Sequence, residues 1–537
     1  MTRTTLRAAL LTGACLLAAT GCRDKSEATS ADLDVEVPGM SEAMINSHFD
    51  VDRVKVPAAD AEAALASLGL AEKTERMTWA SREGADGTYT YSDVSVTGEA
   101  GATTTIETLT LTNLAGGANP TLGKAEAKGI VIRPAADSGE TGELKVASAV
   151  VVEPDMDAVR SLLSGDGEAD LPDARAFSIS GVDGNIADDE ATGTLSVARI
   201  AFADPKSATS RDGFMLADDI EMDVVVTENG APMDVKLSLD DFSVAGLADL
   251  GMFSGDMSAL SQLSGASNPA SLPFTQASLD DLDITADTLV FDMEGFKAVY
   301  EEKGDVVTGL SKLEPIVMKF TGEPTVPQIA SLYENLGKLG YDELVMTGGG
   351  KSKIDLGKDT AEFEDNYFEL QDGMRMEFDY TMTGVKAVQD AQAAAMAELG
   401  EAPGPNADPA DQYDYEARAM QASMAGLDQI RIADMEISLD DNSIMERVFE
   451  MAAADQGTSA KALRMQAKGM LAMGTMMSAG SGIDEAIVAD IVEALGEFID
   501  NPGSKLVISM DPDAPVGMDG LASLTKESAK FDARVER

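Results

Sequence analysis

The 537-residue chain contains one histidine, His48, two cysteines, Cys15 and Cys22, and a single tryptophan. Aromatic residues make up 5% of it, and 40 basic side chains face 94 acidic ones, for a formal net charge of −54. Each scarcity excludes something. A Ser-His-Asp or Cys-His nucleophile would have to use His48. A zinc site usually needs several His or Cys ligands. His48 therefore reads as a solvated or capping residue. Phosphate backbones are bound by clustered Lys and Arg; no such cluster occurs, so no nucleic-acid partner is expected. No stretch beyond residue 21 approaches the ~20 apolar residues of a membrane-spanning helix, so a soluble body is expected. Gly348-Gly349-Gly350-Lys351-Ser352 imitates the end of a phosphate-binding loop, but Val345 stands where that motif needs its first glycine. It reads as a glycine-rich bend.

What is present begins with an address. Residues 1–21 carry Arg3 and Arg7, then a short apolar stretch from Leu6 to Ala19, too short to span a bilayer and consistent with a signal peptide. The segment ends Ala19-Thr20-Gly21-Cys22, which resembles the lipobox of bacterial lipoproteins. That resemblance implies cleavage before Cys22 and acylation of Cys22. An ordinary secretory signal is the alternative. Cleavage would remove Arg3, Arg7 and Cys15, leaving 38 basic against 94 acidic side chains (−56) and no possible internal disulfide. Several acyl chains anchor durably where one does not. The residue after Cys22 is Arg23 rather than Asp, which by the same resemblance implies the periplasmic face of the outer membrane. Polar residues 22–40 suit a tether.

From residue 41 to 323 the pattern is β-rich with short helices. Runs such as TYTYSDVSVTG, GELKVASAVVVEP and MDVKLSLDDFSV alternate apolar and polar residues between Gly, Pro and Asn breaks, the signature of antiparallel sheet with one wet face. A strand–break–helix order is read at 146–163, 284–301 and 430–450, and Ser-Leu-Asp-Asp at 238–241, 278–281 and 438–441 reads as a strand end. Residues 324–384 read as a helix followed by a three-strand meander. Residues 385–426 read as a helical hairpin insertion, and 427–537 as a C-terminal strand and helical region. The expected fold is α+β: an extended, bent antiparallel β-sheet with backing helices and a helical C-terminal section. Its texture resembles AsmA-like exported proteins, which implies a long strand-built groove but supplies no residues.

Two residue populations carry candidate chemistry. The acids Asp155, Asp157, Asp166, Glu168 and Asp170 lack the order of an EF-hand but would allow weak Ca²⁺ or Mg²⁺ association; no resident cofactor is expected. Of 29 methionines, 16 lie between Met374 and Met518, and Met465, Met470, Met473 and Met477 crowd one helix. Methionine fills irregular cores and lines adaptable binding surfaces, so these four are candidate contacts for an apolar ligand. The function expected is an envelope lipoprotein, membrane-anchored through Cys22, with a non-enzymatic binding or scaffold role. The alternative is a carboxylate-based hydrolase of envelope polymer, which would need two acids held ~5–9 Å apart.

Overall fold

The computed structural model describes residues 33–537 apart from 99–100, 117–119, 136–140, 157–158, 160–173, 188–190, 208–209, 229–230, 248–273, 400–408, 479–483, 518–519 and 521–522. Cys22 and the signal segment lie outside the described residues, as do Asp157, Asp166, Glu168 and Asp170.

Two helices come first, α1 (Glu42–Phe49) and α2 (Ala58–Ser67). Ser41 caps α1 by accepting from the Met44 amide at 3.2 Å. The sheet opens with β1 (Met77–Thr78), β2 (Ser81–Ala85), β3 (Thr88–Thr97), β4 (Thr103–Thr112), β5 (Lys124–Arg133) and β6 (Thr141–Pro154). It continues through β7 (Ala174–Ala187), β8 (Ala191–Ala203), β9 (Gly213–Glu228), β10 (Ala231–Leu247), β11 (Gln276–Ala286), β12 (Leu289–Lys303) and β13 (Val306–Phe320). After α3 (Pro327–Leu339) come β14 (Glu343–Asp355), β15 (Thr360–Leu370) and β16 (Met374–Thr383), then α4 (Val385–Leu399) and α5 (Pro409–Ser423). The chain closes with β17 (Arg431–Asp441), α6 (Ile444–Gln456), α7 (Ala460–Ser478), α8 (Glu485–Asp500), β18 (Lys505–Met510), β19 (Val516–Gly517), α9 (Lys526–Ala529) and β20 (Asp532–Glu536).

From β3 to β18 each strand pairs antiparallel with the next in the chain, and β20 pairs with β18. The result is one long, open, bent antiparallel sheet. It runs without interruption past residue 324, because β13 pairs with β14.

Two local readings change. The later part of 284–301, read as a helix after a strand and a break, continues β12; the aromatic and β-branched Phe296, Val299 and Tyr300 suit a strand. Ser-Leu-Asp-Asp ends β17 but lies mid-strand in β10 and β11. Gly348–Gly350 lie within β14, as read, and the pairing with β15 shifts register between Gly349 and Lys351.

Residues 33–56 cross the sheet as a strap, from late strands back to early ones. The Leu33 side chain lies against Gly349 of β14. The Pro38 carbonyl accepts from Gln276 Nε2 of β11 at 2.7 Å. Glu42 pairs with Arg199 of β8 at 2.9 Å, and Ile45 and Phe49 pack on Val152, Ala201 and Phe214. The Val54 amide donates to Asn113 Oδ1 at 2.8 Å.

Candidate functional site: a creased apolar face

A line of exceptional residues crosses the middle of the strands. Asp93, Gly129, Gly181, Asp219 and Asp281, one in each of β3, β5, β7, β9 and β11, have φ between +45° and +60°. Only Gly adopts this left-handed region freely, and Asp is among the few others that tolerate it. Regular pairing is interrupted there on every successive strand: Ser92 pairs with Thr108 and Val94 with Ile106, but Asp93 has no pair, and the same gap recurs through Gly181 and Asp281.

The left-handed residue inverts the alternation of side chains. Ile179 and Val182 belong to one apolar cluster although they are three residues apart, as do Ile200 and Val197. A regular strand would put such residues on opposite faces. Two in-register apolar rows therefore run along one face, one on each side of the crease. Val146, Val182, Val197, Ile220, Leu239 and Leu282 form the first. It extends through apolar residues on every strand from Val94 in β3 to Met374 in β16. Ile179, Ile200, Ala217, Phe242, Leu279 and Phe296 form the second. Contact between the rows shows that the sheet folds towards this face: Val146, Val182 and Val197 are buried, while the crease residues Asp219, Asp240, Asp281 and Glu294 are exposed on the outside.

Helices close the ends of this trough. Ala61, Ala64 and Leu65 of α2 cover Tyr89, Tyr91, Leu109 and Leu111, and the Tyr91 hydroxyl donates to the Leu70 carbonyl at 2.9 Å. Ala494 and Phe498 of α8 pack with Leu506, Leu439 and Val535 at the other end. On the rim, Leu336 of α3 meets Leu344 and Met318. Between the ends the second row is only half-buried.

The opposite face carries a row of charges beside the apolar patch of Val152, Ala201 and Phe214 that the strap covers. Across the register, Arg199 pairs with Asp218, Asp218 with Asp241, and Asp241 with Asp280. Arg199 Nε holds Asp218 at 2.8 Å. Burial, reinforced by Asp218 and Asp280, pushes the Asp241 carboxyl above its ordinary value. Further along, burial of Glu377 opposes its charge, but hydrogen bonds from Lys505 at 2.7 Å and Arg375 at 2.9 Å overcome this and lower its pKa to about 2. No group of three or more His, Cys, Asp or Glu side chains among the described residues is arranged to hold a metal ion.

His48 is not solvated. It is 0% exposed, sits edge-on to Phe214 with ring centroids 5.3 Å apart, and neither ring nitrogen has a hydrogen-bond partner. Burial, then the Lys206 charge, lowers its pKa, against the opposing pull of Asp212 at 3.6 Å.

Met465, Met470 and Met473 lie on α7 and are 64%, 66% and 64% exposed. Met477 belongs to the same helix, and its side chain lies outside the described residues. The residues that line the trough were missed at the sequence level. Their signal was an Asp or Gly in the middle of every second strand.

No described helix is long and apolar enough to cross a membrane. No curated protein and no solved structure matches the chain. A family described as "Uncharacterized protein" matches residues 367–533, from within β15 to within β20.

Proposed function

We propose that the chain is an envelope lipoprotein, held through acylated Cys22 on the periplasmic face of the outer membrane, whose α+β body holds an apolar ligand, a lipid acyl chain, along the creased face. The observation that carries the reading is the pair of apolar register rows with a half-buried centre. Contiguous apolar surface left partly open is unfavourable in water, and where large it marks ligand or partner sites. Fourteen strands at about 4.8 Å spacing make the first row about 60 Å long. An acyl chain reaches about 15 Å, half of a bilayer core, so the row accommodates several. The row of charges on the opposite face, ion-paired through Arg199 and Arg375, supplies solubility.

The test uses the chain from Arg23 onward, exported behind a cleavable signal and examined by native mass spectrometry. Among the described residues the buried apolar ones lie between Leu33 and Phe531, so this chain retains all of the contacts above. A stoichiometric lipid adduct is expected, and Ile200→Asp with Phe242→Asp should remove it. A clean unliganded mass for the unsubstituted chain would overturn the reading.

A further inference from the structure

In a chain of net charge −54, α7 is the only described helix with no acidic residue: it carries Lys461, Arg464 and Lys468. Its inner side is accounted for. Leu463 is buried, the Arg464 guanidinium lies over the Phe449 ring at 5.5 Å, and Lys468 pairs with Asp500 of α8. Its outer side presents Met465, Met470 and Met473, each about two-thirds exposed, with Lys461 beside them. Unpaired apolar side chains on a helix with basic charge are the features of helices that lie in a membrane interface.

The length of chain ahead of the strap says which surface they meet. Leu33 is 6% exposed and lies against β14. Ten residues lie between it and Cys22, a reach of at most about 40 Å when fully extended. Helix α8, on which α7 packs, covers β17 and β18, about 20 Å from β14 at the usual strand spacing. Leu33 lies on the face of Gly349, Tyr367 and Glu377, opposite the Leu439 face that α8 covers, so the acyl anchor of Cys22 leaves the body at the α7 end of the sheet rather than the α2 end and would pass round its edge to reach the α7 side.

We infer that the outer side of α7 docks on the anionic lipid surface to which Cys22 tethers the chain, through Met465, Met470 and Met473 inserted among the acyl chains and Lys461 at the phosphate level. This rests on the acyl-anchor reading for its geometry. It sets the C-terminal end of the trough against the membrane, where a lipid would enter or leave. The acidic side chains of the other described helices are repelled by the same surface, which favours α7 among them. Tethering raises the local concentration of lipid surface, so a weak contact suffices.

The experiment measures co-sedimentation of the chain starting at Arg23 with vesicles of phosphatidylglycerol and phosphatidylcholine. Binding is expected at low salt and should weaken as salt screens the charges. Substituting Met465, Met470 and Met473 together by Ser should cut the bound fraction about fivefold or more. Lys461→Glu should cut it too, providing a second variant if the triple one does not fold. In both variants the thermal midpoint and the lipid adduct in native mass spectrometry should be unchanged. Absence of binding by the unsubstituted chain, or equal binding by folded variants, overturns the inference. Loss of the adduct with vesicle binding intact would overturn only the trough.

Discussion

Gly181 stands back to back with Ala147: a Cβ placed on Gly181 would lie 2.6 Å from the Ala147 Cβ, and the Gly181 backbone has a φ of +59°. The same arrangement recurs two strands away, where Gly129 would place a Cβ 2.8 Å from that of Glu107. The fold of the sheet towards its apolar face depends on such close approaches.

Gly181→Val should therefore be strongly destabilising. It combines a left-handed backbone with a β-branched side chain and a clash against Ala147, at a cost of about 2–4 kcal/mol. Gly304→Val is the comparison. Gly304 also has positive φ, at +65°, but has nothing within 4 Å of its would-be Cβ, so it should cost less. Urea unfolding midpoints of the two variants check this; equal losses would remove the role assigned to the crease contact.

His48 makes stability fall on the acid side of neutrality. Its folded pKa lies below its ordinary 6.5, so the unfolded chain binds the proton more readily. Its contribution is fully present above pH 6.5 and is lost as pH falls below 6.5 towards the lowered folded value. No other side chain in the sequence ordinarily titrates between pH 5 and 7. His48→Leu should flatten that slope and, by removing two unpartnered buried nitrogens, be neutral or stabilising by about 1 kcal/mol at pH 5. Thermal melts at pH 5 and 7.5 measure both effects.

Asp241 acts in the opposite sense. Its folded pKa lies above 3.8, so the folded chain binds the proton more readily, and stability is lost as pH rises through the raised value. Asp241→Asn should raise the thermal midpoint at pH 7 by about 1–2 °C, and the gain should vanish near pH 3. A lower midpoint at pH 7 would mean that pairing with Arg199 outweighs repulsion by Asp218 and Asp280.

Much of the sheet was legible because its evidence is local. Alternation in TYTYSDVSVTG marks β3. The meander β14–β16 follows from its short polar turns. The trough was not legible, because a period of two assumes that every residue in the strand is extended. Asp240 and Asp281 looked like strand ends, since Asp ordinarily stops a strand. Placed opposite one another across paired strands, they bend it instead.

Taken alone, the sequence determined the antiparallel texture and the acidity, since these depend on composition and near neighbours. Tertiary structure decided which apolar residues share a face, that His48 is buried under Phe214, and that Leu33 reaches Gly349. The reason is that each depends on a contact across strands. A left-handed Asp or Gly inverts the side-chain order only where a neighbouring strand holds it there, and no local pattern records that neighbour.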